Sequence, residues 1–199
     1  MKPIKARDSV VGPQTRFSGD HVGNAGCRFW ALKTTTGKGK DQVTFWPNFV
    51  SESVIAIAWS RIGVDPSKVS EPQLLSAIRN AFPDESEKLV ANKIKKFVEL
   101  QEGDLVLVCH GYSSSPQANL VRIYGFARVS GPFRDERTEK SGWSWTFKHK
   151  ADIQIVNRQL PRDVIARALG KESLMQTIHE LDRSGIERLI EKLGVRLEV

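Results

Sequence analysis

The sequence predicts an α+β fold: a small, curved mixed β-sheet or barrel, with helices inserted between its strands and appended at its C-terminal end. Three observations predict it. Two apolar runs rich in β-branched residues, Ser53 to Trp59 and Leu105 to Cys109, read as buried strands. Between them lie two stretches with apolar residues at helical spacing. After Pro161 the pattern is helical to the end. Strands in the middle with helices inserted and appended fit one sheet packed against helices.

Taken in order, residues 1–26 are polar and Gly-rich without sustained periodicity, and read as a flexible or loosely docked extension. Arg28 to Lys33 is a strand, and residues 34–41 form a polar basic loop. Trp46 to Val50 opens a short helix or turn. Ser70-Glu71-Pro72-Gln73 is a capping box with proline in the first turn. It leads to Leu74, Leu75, Ile78 and Phe82 on one face, and Pro83 stops the helix. The next helix runs from about Ser86 to Leu100, with Val90, Ile94, Phe97 and Val98 at helical spacing.

Gly103-Asp104 turns into the strand Leu105–Cys109, and a Ser-rich loop follows from Gly111 to Asn119. Leu120 to Val129 is a third strand, ended by Gly131-Pro132. Arg134 to Gly142 is a charged loop. Trp143 to Phe147 alternates, so its three aromatics share one face of a strand. Ala151 to Val156 continues that strand or adds another. Pro161 to Leu169 is a helix closed by Gly170 at C′, and Ser184 to Glu187 is a capping box before Leu189, Ile190 and Leu193. The expected organisation is an extension (1–26), a main domain (27–157) and a C-terminal helical segment packed on it (158–199).

The 199 residues suffice for one sizeable core. No run of 18 apolar residues exists, and Met1-Lys2-Pro3-Ile4-Lys5 precedes no apolar stretch. Neither a membrane span nor a secretory signal is expected, which places the protein in the cytoplasm. Cys27 and Cys109 form no CxxC pair and read as reduced cysteines in or near strands. The net charge of +7 favours a polyanionic partner. A merely soluble basic protein has the same charge, so its placement must decide.

Catalytic readings fail early. His21, His110, His149 and His179 show no metal-ligand spacing. Gly37-Lys38-Gly39-Lys40 lacks the GxxxxGK[ST] spacing, so it is a basic loop fit to touch phosphates but not to hold a nucleoside triphosphate. Pro83-Asp84 has no Glu-x-Lys strand after it, and Ser113 to Ser115 has no Gly-x-Ser-x-Gly elbow. The chain is expected to be no enzyme in its own right and to need no cofactor or metal.

The five tryptophans are more informative. Trp30 and Trp46 read first as core residues. Trp59 ends an apolar strand and is followed by Ser60-Arg61; Trp143 sits at the rim of the charged loop. Stacking on an aromatic contributes about 1–3 kcal/mol per base, while nearby cations hold the backbone. Lys33, Lys38 and Lys40 flank the first strand, and Arg61 follows Trp59. Arg134, Arg137 and Lys140 flank Trp143, with Lys148 and Lys150 after Phe147.

These residues carry a resemblance. Cys27-Arg28-Phe29-Trp30-Ala31-Leu32-Lys33 resembles the opening strand of the PUA-like superfamily that contains EVE and YTH domains. Val54 to Trp59 is similar to the strand ending in that group's first cage tryptophan. Gly103-Asp104-Leu105-Val106-Leu107-Val108 resembles the Gly-Asp-Leu-Val-Leu segment of EVE-like domains, and Ile123 to Val129 the strand after it. Trp143 to Phe147 occupies the place that supplies a second cage aromatic. The helical pair between Trp59 and Gly103 is similar to that at the N-termini of McrB-type restriction proteins. The resemblance covers roughly Cys27 to Val156, and whether it extends to the C-terminal helices is left open.

The resemblance implies a reader that flips a modified base into an aromatic cage: Trp59 as one wall, Trp143 or Trp145 as the other, and Trp30 as a further candidate. Ser60, with Lys33 or Thr34, would meet the base edge. Lys38, Lys40, Arg61, Arg134, Arg137, Lys140, Lys148 and Lys150 would hold the backbone. N6-methyladenine in DNA is the first expectation and a 5-substituted cytosine the second. The implied partner is DNA before RNA, with no membrane, in fusion or assembly with a restriction NTPase or nuclease. The charged loop from Gly131 to Gly142 departs from the eukaryotic RNA readers, so RNA specificity does not carry over. The alternative is an RNA-binding PUA-like factor of RNA modification or processing.

Overall fold

Alternation along the first strand sets the architecture. In the computed structural model, which describes residues 26–36, 43–110, 119–136, 146–170 and 177–197, β1 is Phe29–Lys33. Phe29 and Ala31 join one hydrophobic core; Trp30 and Leu32 join another on the opposite face. A sheet covered on both faces has no solvent side. That is why β5 (Leu105–Cys109) is a continuous apolar run, buried throughout.

The remaining elements are β2 (Thr35–Thr36), β3 (Val43–Thr44), α1 (Trp46–Glu52), β4 (Val54–Ile57), α2 (Glu71–Ala81), α3 (Glu87–Val98), β6 (Leu120–Asp135), β7 (Phe147–Pro161), α4 (Arg162–Leu169), β8 (Ile178–Leu181) and α5 (Arg183–Leu193). A 3-10 turn, Ser60–Ile62, lies between β4 and α2. The six-stranded sheet has the order β4-β7-β6-β5-β1-β8. β1 and β5 are parallel, and the other neighbours antiparallel. The fold is α+β, a mixed sheet curled into a half-barrel. Leu74 and Ile78 of α2 and Val90, Ala91, Ile94 and Phe97 of α3 cover one face. Ile165 and Leu169 of α4 and Ile186, Leu189 and Leu193 of α5 cover the other. Among the described residues, no helix is long and apolar enough to cross a membrane.

Local sequence explains most boundaries. The backbone N–H of Ser70 donates to Gln73 Oε1 at 2.9 Å, which fixes the start of α2. Gly170 closes α4 at φ 62°, in the left-handed region. Ser53 adopts φ 53° at the end of α1, so β4 begins one residue later than the apolar run.

Three expectations are corrected. Gly131-Pro132 does not end the third strand: β6 continues to Asp135 because a register shift between Val129 and Phe133 absorbs the break. The end of the chain is not wholly helical. β8 pairs antiparallel with β1, and its two apolar residues, Ile178 and Leu181, are three apart, which imitates a helical pattern. α5 starts at Arg183 behind Asp182, not behind a cap at Ser184. The sequence left open whether Ala151 to Val156 continues the preceding strand, and β7 does so. Residues 1–25 of the N-terminal extension, the Gly37–Lys40 loop, residues 111–118 of the Ser-rich loop, most of the charged loop and the expected strand residues 143–145 lie outside the described residues.

Candidate nucleic-acid interface

β4 ends at Ile57, which pairs with Phe147 at the start of β7. Two residues on, Trp59 adopts φ 96°. A bulky residue there bears about 1–3 kcal/mol of strain and persists only where its surroundings hold it. The carbonyl of Trp59 accepts the N–H of Ile62 at 3.1 Å, closing the 3-10 turn. Its half-buried indole packs on the core that α2 and α3 cover. The ammonium of Lys93, on α3, lies 5.6 Å from the centre of the Trp59 ring, and the Arg61 guanidinium 5.4 Å from that of Phe82. Two cation–aromatic contacts thus tie this turn to the helices beneath.

A groove of about 540 Å³ adjoins the turn. Arg61, Ile62 and Val64 form one side; Gln73, Ser76 and Asn80, at helical spacing on α2, form the other. Arg61 is the one charged side chain lining it among the described residues.

The other expected site residues fall into three groups. Trp30 is not a cage wall. It is 3% exposed, its indole N–H donates to Asp104 Oδ2 at 3.1 Å, and the Arg28 guanidinium covers the ring at 5.1 Å. Thr34 is not free to meet a base edge. It is fully buried; its hydroxyl bonds that of Thr44 at 3.2 Å, its N–H donates to Cys109 and its carbonyl accepts from Phe45. Lys148 does not wait for a phosphate. Its 18%-exposed side chain pairs with Glu52 at 2.7 Å and Glu136 at 3.4 Å. Burial works against its charge, but the hydrogen bonds and charges of Glu52 and Glu136 together outweigh it and raise its pKa above the ordinary lysine value.

Arg61, Arg134 and Lys150 are exposed, and Arg134 lies 4.0 Å from Glu136. Lys33 is half-buried at the far end of β1, and β7, β6 and β5 separate β1 from β4 in the sheet. Ser60 opens the 3-10 turn. Trp143, Trp145, Lys38, Lys40, Arg137 and Lys140 lie outside the described residues. Trp46, read as core, is buried and stacks on Tyr124 at 5.7 Å and 20°.

Sequence reasoning missed Lys93, Phe82 as a partner of Arg61, and Asp104. Lys93 sits beside the apolar stripe of α3, and no spacing ties it to a tryptophan 34 positions earlier. Asp104 was read only as half of a turn. It is 1% exposed and accepts hydrogen bonds from Trp30, from the backbone of Gln101 at 3.0 Å and from Arg28 at 2.8 Å. An aspartate placed directly before a buried apolar strand could have flagged it.

No protein-family model matches the chain, and no curated protein does. Solved structures do. The chain resembles YTH domains in structure. One is the YTH domain of the Zygosaccharomyces rouxii MRB1 protein in complex with N6-methyladenosine RNA: 12% identity over 91% of this chain and 92% of that one, TM-score 0.45. Another is the Pho92 YTH domain in complex with m6A, with 13% identity over 85% and 87% and a TM-score of 0.44. Protein Atu2648 from Agrobacterium tumefaciens is similar at 9% identity over 85% and 94%, with a TM-score of 0.40.

Proposed function

We propose that this chain is a nucleic-acid-binding module that recognises one modified base, N6-methyladenine first and a 5-substituted cytosine second, by stacking it on Trp59. The observation that carries this reading is Trp59 itself. Strained backbone of this kind clusters at ligand clamps, and here it sets an aromatic ring two residues beyond the end of β4, under the Lys93 ammonium and with Arg61 two residues further on. Flipping a base costs a few kcal/mol, which stacking and edge hydrogen bonds must offset. An N-methyl group weakens pairing and adds apolar area, lowering the first term and strengthening the second.

Trp143 or Trp145 is the proposed second wall. Both precede Phe147 in sequence, and Phe147 pairs with Ile57, two residues before Trp59. Arg61, Arg134 and Lys150 are the proposed backbone contacts. The module acts as the specificity part of a modification-dependent restriction system on DNA, and is not itself an enzyme. Stacking is indifferent to the sugar, so an RNA-binding role is the second reading. The test is binding of single- and double-stranded DNA and RNA oligonucleotides, each with and without one N6-methyladenine. A preference for the methylated member of any pair supports base reading, and the preferred sugar decides between the two roles. Equal affinity throughout, with a steep salt dependence, leaves only a generic basic binder.

A further inference from the structure

We infer that Lys93 makes the Trp59 site selective for uncharged modified bases over cationic ones. This rests on the stacking role proposed for Trp59. Methylated bases fall into two charge classes. N6-methyladenine and 5-methylcytosine are neutral; N1-methyladenine, N3-methylcytosine and N7-methylguanine are positive at neutral pH. A bare indole favours the second class, because its negative face attracts cations.

In this chain that attraction is already taken up. The Lys93 ammonium lies 5.6 Å from the Trp59 ring centre. α3 buries Val90, Ala91, Ile94 and Phe97 in the core, so Lys93, three residues after Val90 and half-buried, is carried on a fixed helix flank. The nearby charge on Phe82 is a second cation, Arg61, which is also the one charged side chain lining the adjoining groove among the described residues. A cationic base stacked on Trp59 therefore meets like charge from Lys93. A neutral base meets none, and the flexible stem of Lys93 lets its ammonium shift toward the phosphate of the same nucleotide.

The experiment measures affinity for one single-stranded oligonucleotide carrying adenine, N6-methyladenine or N1-methyladenine at the same position. The proteins are the wild type, Lys93→Met, Lys93→Glu, Trp59→Ala and Lys88→Glu, the last an exposed lysine on the same helix. The wild type should favour N6-methyladenine over N1-methyladenine by about tenfold, Lys93→Met should cut that ratio about threefold, and Lys93→Glu should bring it to unity or below. Lys88→Glu should weaken both complexes alike and leave the ratio fixed. If both Lys93 variants weaken binding with the ratio unchanged, Lys93 is only a phosphate contact and the inference is overturned. If Trp59→Ala leaves the preference for N6-methyladenine over adenine intact, the stacking reading itself fails, whatever Lys93 does.

Discussion

The indole N–H of Trp30 donates to the carboxylate of Asp104 at 3.1 Å, joining β1 to the turn that starts β5. The same carboxylate accepts from the Gln101 backbone at 3.0 Å and pairs with Arg28 at 2.8 Å. This divides the tryptophans. Trp30 has its polar atom satisfied inside the fold, and Trp46 is stacked on Tyr124. Trp59 sits on strained backbone with its ring only partly buried against the core.

Asp104→Ala should therefore act on stability. It leaves the Trp30 and Gln101 donors without a partner, at a cost of about 3 kcal/mol in urea unfolding. Asp104→Asn should recover part of the loss, because its amide oxygen still accepts. Equal loss from both variants would point to the charge pair with Arg28 instead.

Gly125 sits where β6 shifts register against β7. A Cβ there would lie 2.1 Å from the Gln154 carbonyl oxygen and 2.9 Å from a Trp46 ring carbon. The first is backbone and cannot swing aside. Gly125→Ala should cost about 3 kcal/mol or more and lower the thermal midpoint by circular dichroism. A change within 0.5 kcal/mol, the range of ordinary surface substitutions, would contradict this packing.

His149 is fully buried, with ring nitrogens 3.1 Å from the Gly131 carbonyl and 2.9 Å from that of Phe97. Burial lowers its pKa, outweighing the two carbonyls that favour protonation. The unfolded chain then takes up this proton more readily than the folded one. Stability should be full above about pH 6.5 and fall as pH drops below it. Urea unfolding at pH 7.5 and 5.5 checks this: the wild type should lose stability at the lower pH, and His149→Gln should lose less. His110 is shifted the same way, by burial and then by Arg122 and Lys33, so some pH dependence should survive in the variant.

Lys148 and Arg61 should separate cleanly. Lys148→Met breaks a pair with Glu52 and Glu136 and should cost about 1 kcal/mol of stability, leaving the salt dependence of nucleic-acid binding unchanged. Arg61→Ala should lower the slope of log affinity against log salt by about one and, through the lost contact with Phe82, cost no more than about 1 kcal/mol of stability.

Much of the fold was legible because covered faces leave plain patterns. The apolar runs of β4 and β5, the capping residues Ser70 and Gln73 and the glycine closing α4 each act within a few residues. β8 was illegible because four residues at an edge carry too little pattern to oppose the helical spacing around them. The continuation of β6 past Pro132 depends on a bulge that only the partner strand reveals. At the site, Trp59 was legible as an aromatic at a strand end, but its positive φ was not, since any residue there could have continued the strand. Lys148 was misread because its partner Glu52 lies 96 positions away.

The most direct test is the ratio of affinities for methylated and unmethylated oligonucleotide, measured for wild type and Trp59→Ala at one salt concentration. With stacking at about 1–3 kcal/mol per base, Trp59→Ala should weaken the methylated complex about tenfold or more and bring the ratio to unity. A ratio above unity that survives Trp59→Ala would contradict the account, because the modified base would then be read without this tryptophan.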